Sequence, residues 1–277
     1  MNSELKNLQP YPFEKLRALF ADQRPDETKS AIALSIGEPK HPSPEFVLQV
    51  LAENLDRLSN YPSTLGLLEL RQTIANWLQK RFHLTSIDPG TQILPVNGTR
   101  EALFAFAQAA VDRTPDTTVL CPNPFYQIYE GAAFLAGATP TFLNCTQDNG
   151  YIPDFDAVTD DQWQQCQLLY LCNPGNPTGA VMSLALLQKL ILLAREHDFV
   201  IASDECYSEI YSAEGAAPPG LLEACAAMGD VDYRSCVVFH SLSKRSNLPG
   251  LRSGFVAGDA RLLQSFLKYR TYHGCAM

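Results

Sequence analysis

The chain has 277 residues, enough for one large or two modest domains with a sizeable core, and its 46% hydrophobic and 18% charged residues are an ordinary globular balance. A net charge of −9 argues against nucleic acid as a general partner, although it leaves room for a local basic pocket. Met1 to Phe20 mixes Glu4, Lys6, Glu14, Lys15 and Arg17 among its apolar residues, unlike a signal peptide, and the apolar run Leu184 to Ala194 is broken by Gln188 and Lys189, so no membrane span is expected. The eight cysteines include no CxxC pair, and Cys121, Cys172 and Cys236 lie in apolar, strand-like runs. Reduced core thiols in a cytoplasmic protein are the expectation, and the five histidines show no metal-ligand spacing.

Residues 1 to about 40, rich in proline, read as an arm ahead of the main domain. From about residue 90 short β-rich runs alternate with longer helical ones. Ile93–Asn97 is a strand, followed by a helix over Thr99–Ala110 with Leu103, Phe106 and Ala110 on one face. Thr117–Cys121 is the next strand, and Tyr126–Ala136 a helix that stops at Gly137. Thr139–Asn144, Leu168–Cys172, Phe199–Ser203 and Cys236–His240 continue the strand series, and Ser183 is placed to cap a helix running to His197. Asp259–Tyr272 is a last helix. Continuous apolar strands suit a sheet covered on both faces, so the pattern points to an α/β fold with a largely parallel sheet. Ligands of such sheets bind beyond the carboxyl ends of the strands.

The unusual residues stand at those ends: Gly98-Thr99-Arg100, Pro122-Asn123-Pro124, Asn173-Pro-Gly-Asn-Pro-Thr-Gly179, Asp204-Glu205 and Ser241-Leu-Ser-Lys244. Taken singly, each has an ordinary explanation. The Asn-Pro-Gly run is a turn, Asp204 a helix cap, Tyr207 a half-buried core aromatic. Lys244 is a solvated lysine in a polar loop and Arg252 a surface ion-pair partner. Their order and setting change that reading. From about Ile36 onward, NPxNPTG, then D-x-x-Y, then S-x-S-K with Arg252 eight residues later, the sequence resembles the fold-type-I pyridoxal-phosphate enzymes, and specifically the class I/II aminotransferases.

The resemblance implies a role for each matched position. Lys244 is the lysine that holds pyridoxal phosphate as a Schiff base and then moves the substrate proton, a task suited to a primary amine whose pKa falls on desolvation. Asp204 faces the pyridine nitrogen and keeps it protonated, and Tyr207 and Asn176 hydrogen-bond the phenolic oxygen. Gly98, Thr99, Arg100, Ser241 and Arg252 form the phosphate cradle at a helix start. Arg100 departs from the family, where this position is often small or uncharged. Tyr126 stacks on the pyridine face, and the backbone of Gly37 in Ile36-Gly-Glu-Pro39 lies beside the substrate carboxylate. Tyr61, in a segment continuing through Gly66 and Leu70-Arg71, resembles the part that reaches the phosphate of a neighbouring subunit, which implies a homodimer.

The resemblance also implies a division into an arm and part of a small domain (1–40), a cofactor-binding large domain (41–258) and the start of a helix (259–277) leading to a small domain left incomplete. The arginine that clamps the substrate α-carboxylate is expected in a C-terminal portion absent from this chain, which puts the activity of the chain in doubt. Within the family, the run Ser241 to Asp259 is most similar to the succinyldiaminopimelate aminotransferases of lysine biosynthesis, for which glutamate is the amino donor. Arg100 and Arg245 are then candidate anchors for a succinylated dicarboxylic substrate. Another amino-acid aminotransferase, a carbon–sulfur lyase of the same fold, or an aminotransferase-like effector-binding module are the alternatives.

Overall fold

The computed structural model describes residues 1–32, 34, 36–37, 40–114 and 116–274. Two short helices, α1 (Pro12–Leu19) and α2 (Glu45–Glu53), bury none of their residues. Helix α3 (Leu68–Phe82) is the first to pack, through Ile74, Ala75, Leu78 and Phe82. Strand β1 (Ile93–Val96) and helix α4 (Thr99–Ala110) follow, then β2 (Thr118–Asn123), α5 (Ile128–Ala136) and β3 (Thr139–Asn144). The chain continues through α6 (Asp160–Gln165), β4 (Cys166–Cys172), α7 (Leu184–Glu196), β5 (Val200–Asp204), α8 (Leu221–Ala227), β6 (Cys236–Ser241), α9 (Leu242–Arg245), β7 (Gly254–Gly258) and α10 (Ala260–Arg270).

The strands form one sheet in the order β1-β7-β6-β5-β4-β2-β3. The central pairs β6/β5, β5/β4, β4/β2 and β2/β3 are parallel, and only β7 runs against its neighbours. The expected largely parallel α/β sheet is what forms. Strand β7 was legible only as part of the Ser241–Asp259 motif, because five residues with glycine at both ends carry little periodicity.

Side-chain alternation along the strands feeds two cores. Leu168, Tyr170, Val237 and Phe239 pack with Leu103, Phe106, Tyr129 and Phe266 from α4, α5 and α10. Leu169, Leu171 and Val238 pack on the other face with Leu78, Leu187, Leu190 and Ile191 from α3 and α7. Both faces are covered, which is why β4, β5 and β6 are apolar almost throughout. Edge strand β3 is the exception, with only Pro140 and Leu143 buried.

Helix α4 and strand β3 have the bounds read from the sequence. Ser183 caps α7 by accepting from Leu186 N, and Asp259 caps α10 rather than belonging to it. Helix α5 starts at Ile128, two residues later than expected, because Tyr126 and Gln127 form a turn closed by Tyr129 N–H donating to the Tyr126 carbonyl at 3.0 Å. The Asn123–Pro124, Asn173–Pro174 and Asn176–Pro177 peptides are cis.

Candidate active site

Strand β6 ends directly in a helical turn. Ser241 caps it, its hydroxyl accepting from Ser243 N at 3.1 Å and donating to the Ser253 carbonyl at 3.2 Å. Lys244 therefore sits on one turn of helix fixed to the strand end, and not in a solvated loop. Its Nζ donates to the Gly37 carbonyl. That contact brings the arm to the site, and a methyl group added at Gly37 would lie 3.9 Å from the Tyr207 hydroxyl. Glu38 and Pro39 of the same run lie outside the described residues.

Beside Lys244, four elements converge on a polar cup. Gly98 joins β1 to α4 with φ 100° and ψ 154°, a conformation essentially confined to glycine. A Cβ there would meet Arg252 Nη2 at 2.2 Å, so glycine leaves the space that the guanidinium fills. Arg252 also pairs with Glu101 at 3.3 Å and donates to the Pro249 carbonyl at 3.1 Å. A Cβ at Gly254 would lie 3.5 Å from Thr99 Cγ2 and 3.6 Å from Ser241 Cα, so β7 holds Thr99 and Ser241 side by side. The start of α4, two hydroxyls and a guanidinium make a donor set suited to a phosphate dianion.

Asp204 closes β5 and is buried. Its Oδ2 accepts from the Tyr129 hydroxyl at 2.9 Å and its Oδ1 from Cys206 N at 3.3 Å. Among the described residues no cationic side chain forms an ion pair with it. Burial pushes its carboxyl above the ordinary range, opposed by the hydrogen bonds from Cys206 and Tyr129. A buried carboxylate held by two donors but no ion-pair partner fits a protonated ring nitrogen of a ligand. Tyr129 was not singled out from the sequence; it lies three residues beyond Tyr126 in an apolar helix and reads there as core. It is fully buried and stacks on Tyr170 with ring centroids 4.7 Å apart.

Tyr207 is half-buried, and burial, with Asp204 nearby, pushes its hydroxyl up to about 12, so it is a proton donor at neutral pH. Tyr126 is also half-buried, meets Tyr129 edge-on and accepts from Arg100 Nε at 2.8 Å. The Thr99 hydroxyl lies 3.2 Å from Cys206 Sγ, tying the cup to the turn after Asp204. Asn176 stands in a tight loop closed by Gly175 N donating to the Ala180 carbonyl at 2.8 Å. Asn173 pins that loop, donating to the Pro219 carbonyl at 2.8 Å and accepting from Met182 N at 2.9 Å. Asn176 shares a shallow pocket with Pro122, Pro124, Cys145, Tyr151 and Cys172.

Three sequence expectations are placed elsewhere. Arg71 is buried and donates through Nη1 to the Pro89 carbonyl at 2.5 Å, anchoring α3 to the loop before β1, so it does not extend toward another subunit. Arg245 lies over the Trp77 ring at 4.3 Å, which commits its guanidinium to α3. Arg100 holds Tyr126 instead of joining Arg252 in the cup. Tyr61 is fully exposed on the segment between α2 and α3, and none of its described contacts joins it to Lys244.

A lysine on a strand-end turn, a buried carboxylate and a phosphate-type cup at the carboxyl edge of a parallel sheet define an α/β enzyme built around an anionic aromatic cofactor. The family model of the class I and II aminotransferases matches residues 29–271, and the chain belongs to that family of pyridoxal-phosphate-dependent enzymes. An LL-diaminopimelate aminotransferase of Nitratidesulfovibrio vulgaris (strain DSM 19637 / Miyazaki F) is 35% identical over 271 residues, covering 96% of this chain and 67% of the relative. A crystal structure of an aminotransferase from Neisseria meningitidis Z2491 superposes with a TM-score of 0.94 at 47% identity, covering 100% of this chain and 70% of that one. The structure of a probable N-succinyldiaminopimelate aminotransferase from Thermus thermophilus has a TM-score of 0.78 at 28% identity, over 89% of this chain and 64% of that one. The chain thus spans about two thirds of the length of these relatives. No helix among the described residues is long and apolar enough to cross a membrane.

Proposed function

We propose that this aminotransferase works on a diaminopimelate-type substrate, N-succinyl-2-amino-6-oxopimelate, with glutamate as amino donor and 2-oxoglutarate as product. The observation that carries it is Arg100. It follows Thr99 of the cup directly, and its guanidinium is bonded to Tyr126 through Nε and also to Tyr11 of the arm, which holds a cation beside the ring with N–H groups left over for a carboxylate. A long dicarboxylic substrate needs such a distal cation. Arg245, the other candidate, is held on Trp77. The names of the similar proteins support the diaminopimelate-type class of substrate.

Thr99, Ser241 and Arg252 would hold the cofactor phosphate, with the backbone of Gly98 giving them room. Asp204 would face its ring nitrogen, Asn176 and Tyr207 its ring hydroxyl, and Tyr126 one ring face. When bound, pyridoxal phosphate supplies an electron-accepting ring that stabilises negative charge on the substrate α-carbon. Lys244 Nζ takes the α-proton and returns it, and the hydrogen bonds to Asp204 keep its carboxylate aimed at one spot. Gly37, whose carbonyl already reaches Lys244, is proposed beside the substrate carboxylate. We also propose a cytoplasmic homodimer with Tyr61 reaching the partner's site. The exposure of Phe46, Leu58, Tyr61 and Leu67 supports a protein surface over that segment. The division into an arm (1–40), a large domain (41–258) and a helix (259–277) leading to the rest of a small domain belongs to the same proposal.

Single-turnover mixing tests the substrate. The cofactor-loaded protein is mixed with L-glutamate, N-succinyl-LL-diaminopimelate, LL-diaminopimelate, aspartate or tyrosine while the cofactor absorption and the oxo-acid are followed. Glutamate and the succinylated amine are expected to convert fastest, and Arg100→Leu to raise KM for the latter about tenfold, the equivalent of about 1.4 kcal/mol. Faster conversion of tyrosine would sink the proposal, and so would pyruvate and ammonia from a cysteine conjugate.

A further inference from the structure

Two buried titratable side chains lie directly behind the site without touching it. Glu205 follows Asp204, and His240 precedes Ser241. Strand alternation turns both to the face opposite the cofactor cup, where each side chain is only 2% exposed. Glu205 Oε1 accepts from Leu221 N at 2.8 Å and from the Ser203 hydroxyl at 3.1 Å. Its Oε2 lies 3.2 Å from His240 Nε2, and that nitrogen has no aligned hydrogen bond. The His240 ring is boxed by Trp77, Phe82 and Phe255 at centroid distances of 5.2, 5.5 and 5.1 Å.

A carboxylate and an imidazole in an aromatic box contribute little to stability that apolar side chains of similar volume would not. Their position suggests another use. The β5–β6 ladder ends at Asp204 opposite Phe239, with Glu205 N donating to the Phe239 carbonyl at 2.9 Å. Beyond that bond the strands part, β5 into the turn carrying Tyr207 and β6 into the turn carrying Lys244. Glu205 and His240 meet at the point of parting. We propose that Glu205 and His240 form a positioning pair that staples the ends of β5 and β6 from behind and so fixes the spacing between Asp204 and Ser241. The pair sets the distance from the ring-nitrogen carboxylate to the phosphate cup, which a cofactor of fixed length must match. The inference rests on the assignment of Asp204 and Ser241 to the cofactor.

The test uses Glu205→Gln/His240→Gln, which keeps the acceptor for Leu221 N and Ser203 while removing the carboxylate–imidazole pair. Pyridoxal-phosphate affinity of the apo-protein, visible circular dichroism of the bound cofactor and melting temperature are measured for the double variant, Asp204→Ala and Ser241→Ala. A positioning role predicts that the double variant binds cofactor about tenfold more weakly, with altered circular dichroism and a melting temperature close to wild type. Wild-type affinity and dichroism in the folded double variant would overturn the pairing while Asp204→Ala and Ser241→Ala still weaken binding. If those two also bind normally, the site assignment falls with it. Should the double variant not fold, Glu205→Gln alone carries the same comparison.

Discussion

Replacing Gly98 with alanine sets two costs against each other at one position. The backbone at φ 100° and ψ 154° is strained for any residue with a Cβ, by about 1–3 kcal/mol, and that cost falls on the fold. The added methyl would also sit 2.2 Å from Arg252 Nη2 and 2.9 Å from its Cζ, so the guanidinium must shift away from the start of α4. Losing one charge-assisted contact to the phosphate is worth about 1.5–3 kcal/mol, or about ten- to a hundredfold in cofactor affinity. Fluorescence titration of the apo-protein with pyridoxal phosphate reads the second cost, and thermal melting reads the first. Gly150→Ala is the control, since its φ of 64° is strained but nothing lies within 4 Å of the added methyl. It should lower the melting temperature and leave affinity alone. Gly98→Ala protein that binds the cofactor within about twofold of wild type would refute the placement of Arg252 in the cup.

Other consequences follow from single contacts. Asp204→Asn removes a buried charge whose folded-state pKa lies above its ordinary 3.8, so the wild-type carboxyl costs the apo-protein stability as pH rises above that value. The variant's melting temperature should exceed wild type at pH 7, and the gain should vanish as pH falls toward 3.8; an equal gain at both ends would be inconsistent with this cause. Tyr129→Phe deletes one of the donors to Asp204 and should weaken cofactor binding by about 1 kcal/mol, read in the same titration; unchanged affinity would remove Tyr129 from the site. Arg71→Leu strips the Pro89 carbonyl of its partner and should cost about 2 kcal/mol in urea unfolding, with normal cofactor affinity. Affinity lost in proportion would return Arg71 to the site.

The carboxyl-edge residues were legible because each lies where an apolar strand stops, and the sheet order then decides what meets. Gly98, Thr99, Ser241 and Arg252 are up to 154 residues apart in sequence, and β7, lying between β1 and β6, is what brings them together. Strand and helix limits were readable where composition changes sharply, as at Thr99–Ala110, and less so where a turn of aromatic residues leads into a helix, as at Tyr126. Spacing does not reveal which way a long side chain turns. Arg71 and Arg245 sit in motif-like runs, but the structure commits one to a carbonyl and the other to an indole ring. Tyr129 and His240 were hidden for the opposite reason, because a buried polar residue inside an apolar run looks like core until its partner is known, and Glu205 was visible at its strand end but without that partner.

Lys244 is proposed to carry the cofactor. Borohydride treatment of the protein loaded with pyridoxal phosphate, followed by peptide mass mapping, should find the reduced adduct on Lys244, and Lys244→Ala should lose both the adduct and the absorption band of the loaded protein. An adduct on another lysine, or an unchanged band in Lys244→Ala, would contradict it.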